Sequence, residues 1–268
     1  MSRFVEGTIS YLGAMDERPR YYAENHSRDN LVLDPRSVRI EDLRDAADRP
    51  SLDREGFMLV PHKSAVSDFR DVEQCKRHYV GETEALIRKL TGASHVVVTG
   101  AGVLRFSERV TDRSGYFNSL PARFIHIDIS DATARAFAAR ARPDAPRASR
   151  FAHYNVWRAI SAPPQDAPLA VCDARSLAPA DLVTADAVFD AKGAPEWSFE
   201  GLVVRHNPAH RWCYFRDMTR DEVLVFKTND SNSTAAHHVP HSAFDDPACP
   251  PDAPSRASIE MRAIAFWD

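Results

Sequence analysis

Glycine is scarce in this sequence, with 10 among 268 residues against 18 prolines. Cysteine is scarcer still: Cys75, Cys172, Cys213 and Cys249 are widely scattered, and no CxxC pair joins any of them. That scatter excludes a zinc ribbon and offers no disulfide framework. No apolar run reaches membrane-spanning length, and the opening MSRFVEGTISYL lacks the uninterrupted apolar core of a signal peptide. Basic residues are not in excess either. A net charge of -4 provides no concentrated cationic surface for a phosphate backbone. These absences lead us to expect a cytoplasmic protein with neither nucleic acid nor membrane as partner.

What is present is an ordinary globular composition, 44% hydrophobic and 27% charged, long enough for one substantial domain. Prolines and turn residues punctuate short apolar runs, the pattern of strands joined by loops. Val5–Leu12 and Gly56–Pro61 read as early strands, with a polar stretch between them. From Ser67 to Thr91 apolar residues recur at helical spacing, and Gly92 sits where a helix would stop. His95–Thr99 is a short β-branched run. Further strands are expected at Arg123–Ile129, Tyr154–Ile160, Leu169–Cys172, Gly201–His206, Trp212–Phe215, Glu222–Lys227 and Ser258–Phe266. Asp131–Ala141, rich in alanine, should be a helix. A mainly β chain with flanking helices follows, a sandwich or barrel rather than alternating βαβ units.

The chemistry begins at Phe124-Ile125-His126-Ile127-Asp128. On a strand, residues i and i+2 share a face, so His126 and Asp128 point together. A second histidine, His241, follows far downstream in Val239-Pro240-His241-Ser242. Two imidazoles and one carboxylate form the facial triad of non-haem Fe(II) oxygenases, whose other positions stay open for an oxo-acid and O₂. His-x-Asp alone is a weak motif among 11 histidines. Its bland alternative is a half-buried strand histidine beside an exposed acid. A second signal, Arg256-Ala257-Ser258, opens the strand beyond His241. A guanidinium fork with a nearby hydroxyl suits the distal carboxylate of 2-oxoglutarate. Arg262, on the same strand face, is the rival anchor.

Taken together, these residues resemble the Fe(II)/2-oxoglutarate oxygenases that include the cephamycin 7-hydroxylase component (CmcJ) and AsaB-type hydroxylase/desaturases. The resemblance runs through Leu52-Asp53-Arg54-Glu55-Gly56-Phe57, Tyr79-Val80-Gly81-Glu82, His126-Ile127-Asp128 and Asn155-Val156-Trp157-Arg158. It continues in Leu169 to Ser176, His210 to Phe215, Asp221 to Lys227, Pro240 to Phe244 and Arg256 to Arg262. It implies a double-stranded β-helix (jelly-roll) core in a single oxygenase domain, 1–268. Within that domain, 1–95 would supply N-terminal strands and helical covering, and 96–268 the core with the metal site. It also implies Fe(II), 2-oxoglutarate and O₂, spent on oxidising a small metabolite of secondary metabolism. The chain departs from the family pattern at Ile129-Ser130-Asp131-Ala132-Thr133 and at Ala159-Ile160, so substrate identity does not carry over.

Asn155 and Trp157 share one strand face, opposite Arg158, and are candidates to donate to 2-oxoglutarate and to wall the pocket. Arg158 and Lys227 are candidates for a substrate carboxylate, with structural ion pairs as the competing reading. With Arg205 they suggest a polar substrate. Asp173 and Arg175 should be a buried pair holding a turn, Cys172 an inert core thiol, and His237 and His238 loop histidines. Two rival functions stay open: a cupin-type lyase or isomerase using the triad without 2-oxoglutarate, and an inactive ligand-binding barrel. Oligomeric state is not readable from the sequence.

Overall fold

Side-chain alternation decides which face of a sheet each strand residue serves, and here it builds two facing sheets. The computed structural model describes residues 4–111, 116, 119–143 and 148–268. The larger sheet has nine strands, in the order Phe4–Leu12, Leu33–Asp42, Trp212–Tyr214, Leu169–Cys172, His241–Ala243, His126–Ile127, Trp197–Val204, Leu182–Phe189 and Arg20–Tyr22. The smaller runs Phe57–Pro61, Glu222–Asp230, Arg150–Ala159, Ala257–Trp267 and His95–Val98, with Val103–Phe106 also paired to Ala257–Trp267. Curled against one another, they form the jelly-roll core.

The space between the sheets is filled from both sides. Trp157, Leu224 and Phe226 come from the smaller sheet and Leu169, Val171 and Cys213 from the larger, all in one buried cluster. The alternate residues Tyr154, Val156, Val225 and Met261 face outward, beneath a helical covering. That covering is a short turn Val72–Gln74, a π-helical turn Cys75–Tyr79 and an α-helix Val80–Thr91. The helix expected from Ser67 begins only at Val72, because the Asp71 carboxylate accepts the N–H groups of Glu73 and Gln74 and caps the first turn. It ends at Gly92, where φ is 67°, a conformation that costs glycine little.

Two differences from the sequence reading bear on the site. The strand expected over Arg123–Ile129 pairs only at His126–Ile127, with Phe124 forming an isolated bridge to Ser10. Beyond it the chain leaves the sheet at once, because Ser130 caps the helix Asp131–Ala141 by accepting the Thr133 N–H. Leu33–Asp42 and Leu182–Phe189 are strands that hydrophobic pattern does not reveal. The first half of Leu33–Asp42 lies largely exposed, and only Val38 and Ile40, set between Arg39 and Glu41, carry an apolar alternation.

Candidate metal centre

Strand pairing alone brings the two histidines together. His241 and His126 lie directly opposite each other in adjacent antiparallel strands, with ring centroids 4.3 Å apart. Asp128, just past the end of the His126 strand, completes the group, and ligand atoms of all three lie within 4.8 Å of one another. The Nε2 atoms of His126 and His241 stand 3.7 and 3.9 Å from Asp128 Oδ1. All three side chains are buried.

The surroundings aim these atoms. His126 Nδ1 donates to the Phe124 carbonyl at 3.0 Å and His241 Nδ1 to the Val239 carbonyl at 3.2 Å. A carbonyl only accepts, so each Nδ1 carries the proton and each Nε2 turns a lone pair inward. Asp128 Oδ2 is engaged elsewhere: Asn155 Nδ2 donates to it at 2.7 Å, and Arg262 Nη2 stands 3.3 Å away. Oδ1 is therefore the oxygen left facing the two lone pairs. Three acceptor atoms converging in a buried space repel one another unless a cation lies between them, and this donor set suits Fe(II).

The electrostatics agree. Burial pushes the His126 imidazole down to about 4, helped by His241, and burial lowers His241 as well. Burial acts to raise Asp128, but Arg262, His241, His126 and the Asn155 hydrogen bond outweigh it and hold the carboxyl below the usual range. Neutral imidazoles beside an ionised carboxylate are the protonation state a divalent cation requires.

A narrow cavity runs from His126, Asp128 and His241 past Trp157 and Glu260 to Arg105 and Arg256. Arg256 is buried, and its guanidinium donates to the Ala167 carbonyl at 2.7 Å and to Ser258 Oγ at 3.2–3.3 Å. Among the described residues it forms no salt bridge, and burial, with Arg105 and Arg123 nearby, pulls it down to about 9. An anion beside it would reverse that shift. Trp157 Nε1, also buried, has no hydrogen-bond partner among the described residues. An indole donor left unmatched costs roughly 1–3 kcal/mol, so the cavity has both a charge and a donor to offer a carboxylate. The residues present fit 2-oxoglutarate as well as iron.

The other sequence candidates divide. Asn155 spends one amide N–H on Asp128. Arg262 sits at Asp128 and bonds Glu260, and it does not line the cavity that holds Arg256. Arg158 and Lys227 are corrected. Both project from the outer face of the smaller sheet, away from the triad. Arg158 donates to Tyr79 Oη and to the carbonyls of His62 and Arg220, and Lys227 Nζ pairs with Asp53 and Asp230 at 2.8 and 2.6 Å. Neither is available to a substrate. Asp173 and Arg175 do pair across the turn, but only Asp173 is buried, the Arg175 side chain being 51% exposed, and burial raises the Cys172 thiol to about 12, leaving it inert.

Aromatic side chains stand on the approach to the triad beside charged ones such as Arg105, Glu108 and Arg123, a cluster the sequence did not suggest. One cavity of about 270 Å³ is lined by Tyr21, Phe124, His126, Asp128 and Arg262. Another, of about 550 Å³, is lined by Asp128, Asn155, Phe137, Trp197 and Arg262, and the two share Phe189 and Phe199. Phe189 stacks on Trp197 with centroids 4.5 Å apart, Phe199 packs beside both, and Trp197 is still 53% exposed. No motif marks these aromatics; only strand pairing of Phe189 with Trp197 brings them together.

Comparison with known proteins gives a consistent picture. Residues 9–266 match a family described as an oxidoreductase/YMDC permease-like domain. The Fe(II)/2-oxoglutarate-dependent dioxygenase nvfI of Aspergillus novofumigatus (strain IBT 16806) is 31% identical over 247 residues, covering 88% of this chain and 85% of the relative. Hydroxylase/desaturase CTB9 of Cercospora beticola is 31% identical over 252 residues, covering 87% and 77%. A solved structure of the iron and alpha-ketoglutarate-dependent endoperoxidase NvfI superposes with a TM-score of 0.84 at 25% identity, covering 99% of this chain and 98% of that one.

Proposed function

This chain belongs to the oxidoreductase/YMDC permease-like family and is an Fe(II)/2-oxoglutarate-dependent dioxygenase, and we propose that it oxidises a C–H bond of a largely apolar small metabolite. His126, Asp128 and His241 are the iron ligands in this reading. The observation that carries it is the division of labour at Asp128, where Asn155 and Arg262 hold Oδ2 while Oδ1 faces two imidazole lone pairs. When bound, iron couples oxidative decarboxylation of 2-oxoglutarate by O₂, giving succinate and CO₂, to oxidation of the substrate.

The protein's own residues prepare that chemistry. Arg256 anchors the distal carboxylate of 2-oxoglutarate, Ser258 orients the guanidinium, and Trp157 Nε1 donates a hydrogen bond to the same ligand. Arg262 is a positioning residue for Asp128. Phe189, Trp197 and Phe199 form the wall against which the substrate rests and from which water is excluded. These aromatics replace the polar recognition that Arg158 and Lys227 suggested. Hydroxylation, desaturation and cyclisation all fit this site, in a single oxygenase domain working in secondary metabolism. No helix among the described residues is long and apolar enough to cross a membrane, and a cytoplasmic setting belongs to the proposal.

The test is anaerobic addition of Fe(II) and 2-oxoglutarate, watching for the weak visible charge-transfer band of the bidentate chelate. The wild type should show the band, and Asp128→Ala should lose both it and the bound iron. Full iron content and turnover in Asp128→Ala would overturn the ligand assignment.

A further inference from the structure

The two segments that carry Asp128 and His241 bring a second set of ligand atoms together. Asp131 lies three residues beyond Asp128, and His238 three before His241, with His237 beside it. Asp131 Oδ1 is 2.8 Å from His237 Nε2 and 3.4 Å from His238 Nε2, and the two rings stand 4.0 Å apart. The three ligand atoms lie within 4.8 Å of one another, as in the first centre.

The tautomers make this more than a surface ion pair. His237 Nδ1 donates to the Asp230 carbonyl at 2.6 Å and His238 Nδ1 to the Thr228 carbonyl at 2.8 Å. Both Nδ1 atoms therefore hold a proton, and both Nε2 atoms point at the same carboxylate oxygen. With one proton per ring, acceptor would face acceptor twice. A second proton on each ring would relieve this, but it would set two imidazolium cations edge to face, 4.0 Å apart, against one carboxylate. A single divalent cation relieves all three contacts at once. The anchoring of Nδ1 on backbone carbonyls repeats what His126 and His241 do, and it is the usual support of metal-bound imidazole. Asn229 Nδ2 donates to the same Asp131 Oδ1 at 2.8 Å and helps to fix the carboxylate.

We propose that Asp131, His237 and His238 form a second divalent-metal site, separate from the catalytic centre and suited to Zn(II). Two imidazoles and one carboxylate oxygen are borderline donors that favour zinc over magnesium or calcium, and the partly exposed Asp131 leaves room for a water as fourth ligand. The ion would clip the loop leading into His241 to the start of the helix that follows Asp128. Both segments that bear catalytic ligands would thereby be fixed at their outer ends.

The experiment is a Zn(II) titration of untagged, metal-free protein, with metal content read by mass spectrometry after gel filtration. The wild type should take up two equivalents. His237→Gln/His238→Gln should take up one, and so should Asp128→Ala, which empties the catalytic centre and leaves the second site intact. One equivalent in the wild type, or two retained in the double histidine variant, would overturn the second site. Failure of the catalytic assignment shows separately, as Asp128→Ala retaining two. Should the double variant fail to fold, Asp131→Asn read by the same titration decides, with one equivalent expected and two overturning the proposal.

Discussion

The two faces of the smaller sheet both bury cations, and they use them in opposite ways. On the outer face Lys227 meets two carboxylates, Asp53 and Asp230, and Arg158 spends its three nitrogens on a hydroxyl, two carbonyls and the His62 ring. On the inner face Arg256 has one carbonyl and one shared serine hydroxyl, and no carboxylate among the described residues. A buried charge whose surroundings already satisfy it is part of the scaffold. One that lines a cavity without an ion pair, its charge only partly offset by Asp166, Glu108 and the Trp157 ring, can receive an anion. Burial alone therefore does not identify a binding residue; what the residue lacks does.

The sharpest way to break this contrast is to remove the outer cation. Lys227→Met should lower the stability of the folded chain by roughly 3–5 kcal/mol, toward the lower figure because Arg150 still faces Asp230, read as the midpoint of chemical denaturation. Its KM for 2-oxoglutarate should stay unchanged. Acid should expose the same network. Burial acts to raise Asp230, but Arg150 and Lys227 outweigh it and depress its carboxyl. Its contribution is thus full above an unfolded value of about 3.9 and is lost as pH falls toward the depressed folded value. Lys227→Met should flatten that acid limb.

The inner cation should answer differently. Arg256→Lys keeps the charge but loses the fork, so 2-oxoglutarate affinity should fall by ~1.5–3 kcal/mol, or roughly 10- to 150-fold, with the denaturation midpoint little moved. If Arg262→Lys gives that loss and Arg256→Lys does not, the anchor lies beside Asp128 and the contrast fails. The smallest effect belongs to the aromatic wall. Trp197→Ala removes one stacked ring worth ~0.5–1.5 kcal/mol, so KM for a substrate that stimulates 2-oxoglutarate turnover should rise by up to about tenfold. KM for 2-oxoglutarate should not respond. A rise limited to charged substrates would restore polar recognition.

Much of the catalytic end was legible in the chain. His126 and Asp128 are related by strand period, Arg256, Ser258 and Arg262 by the same period on a later strand, and the helix Asp131–Ala141 by composition. The period also separates Arg158 from Asn155 and Trp157, so its scaffold role was already implied by the face it occupies. Asp173 and Arg175 were readable as a pair because the contact is local.

What the sequence determined by itself was thus everything that depends on neighbours along the chain: which residues share a face, where helices are capped, and which side chains have the chemistry of a metal site. Tertiary structure decided which faces meet. Only the antiparallel register of His241 against His126 closes the triad, and only the approach of Asp53 and Asp230 tells a structural Lys227 from a binding one. The pairing of Asp131 with His237 and His238 likewise joins segments far apart in sequence, while the aromatic wall rests on the pairing of two successive strands. Alternation and capping act over a few residues, whereas register between distant strands is fixed by how the whole core packs.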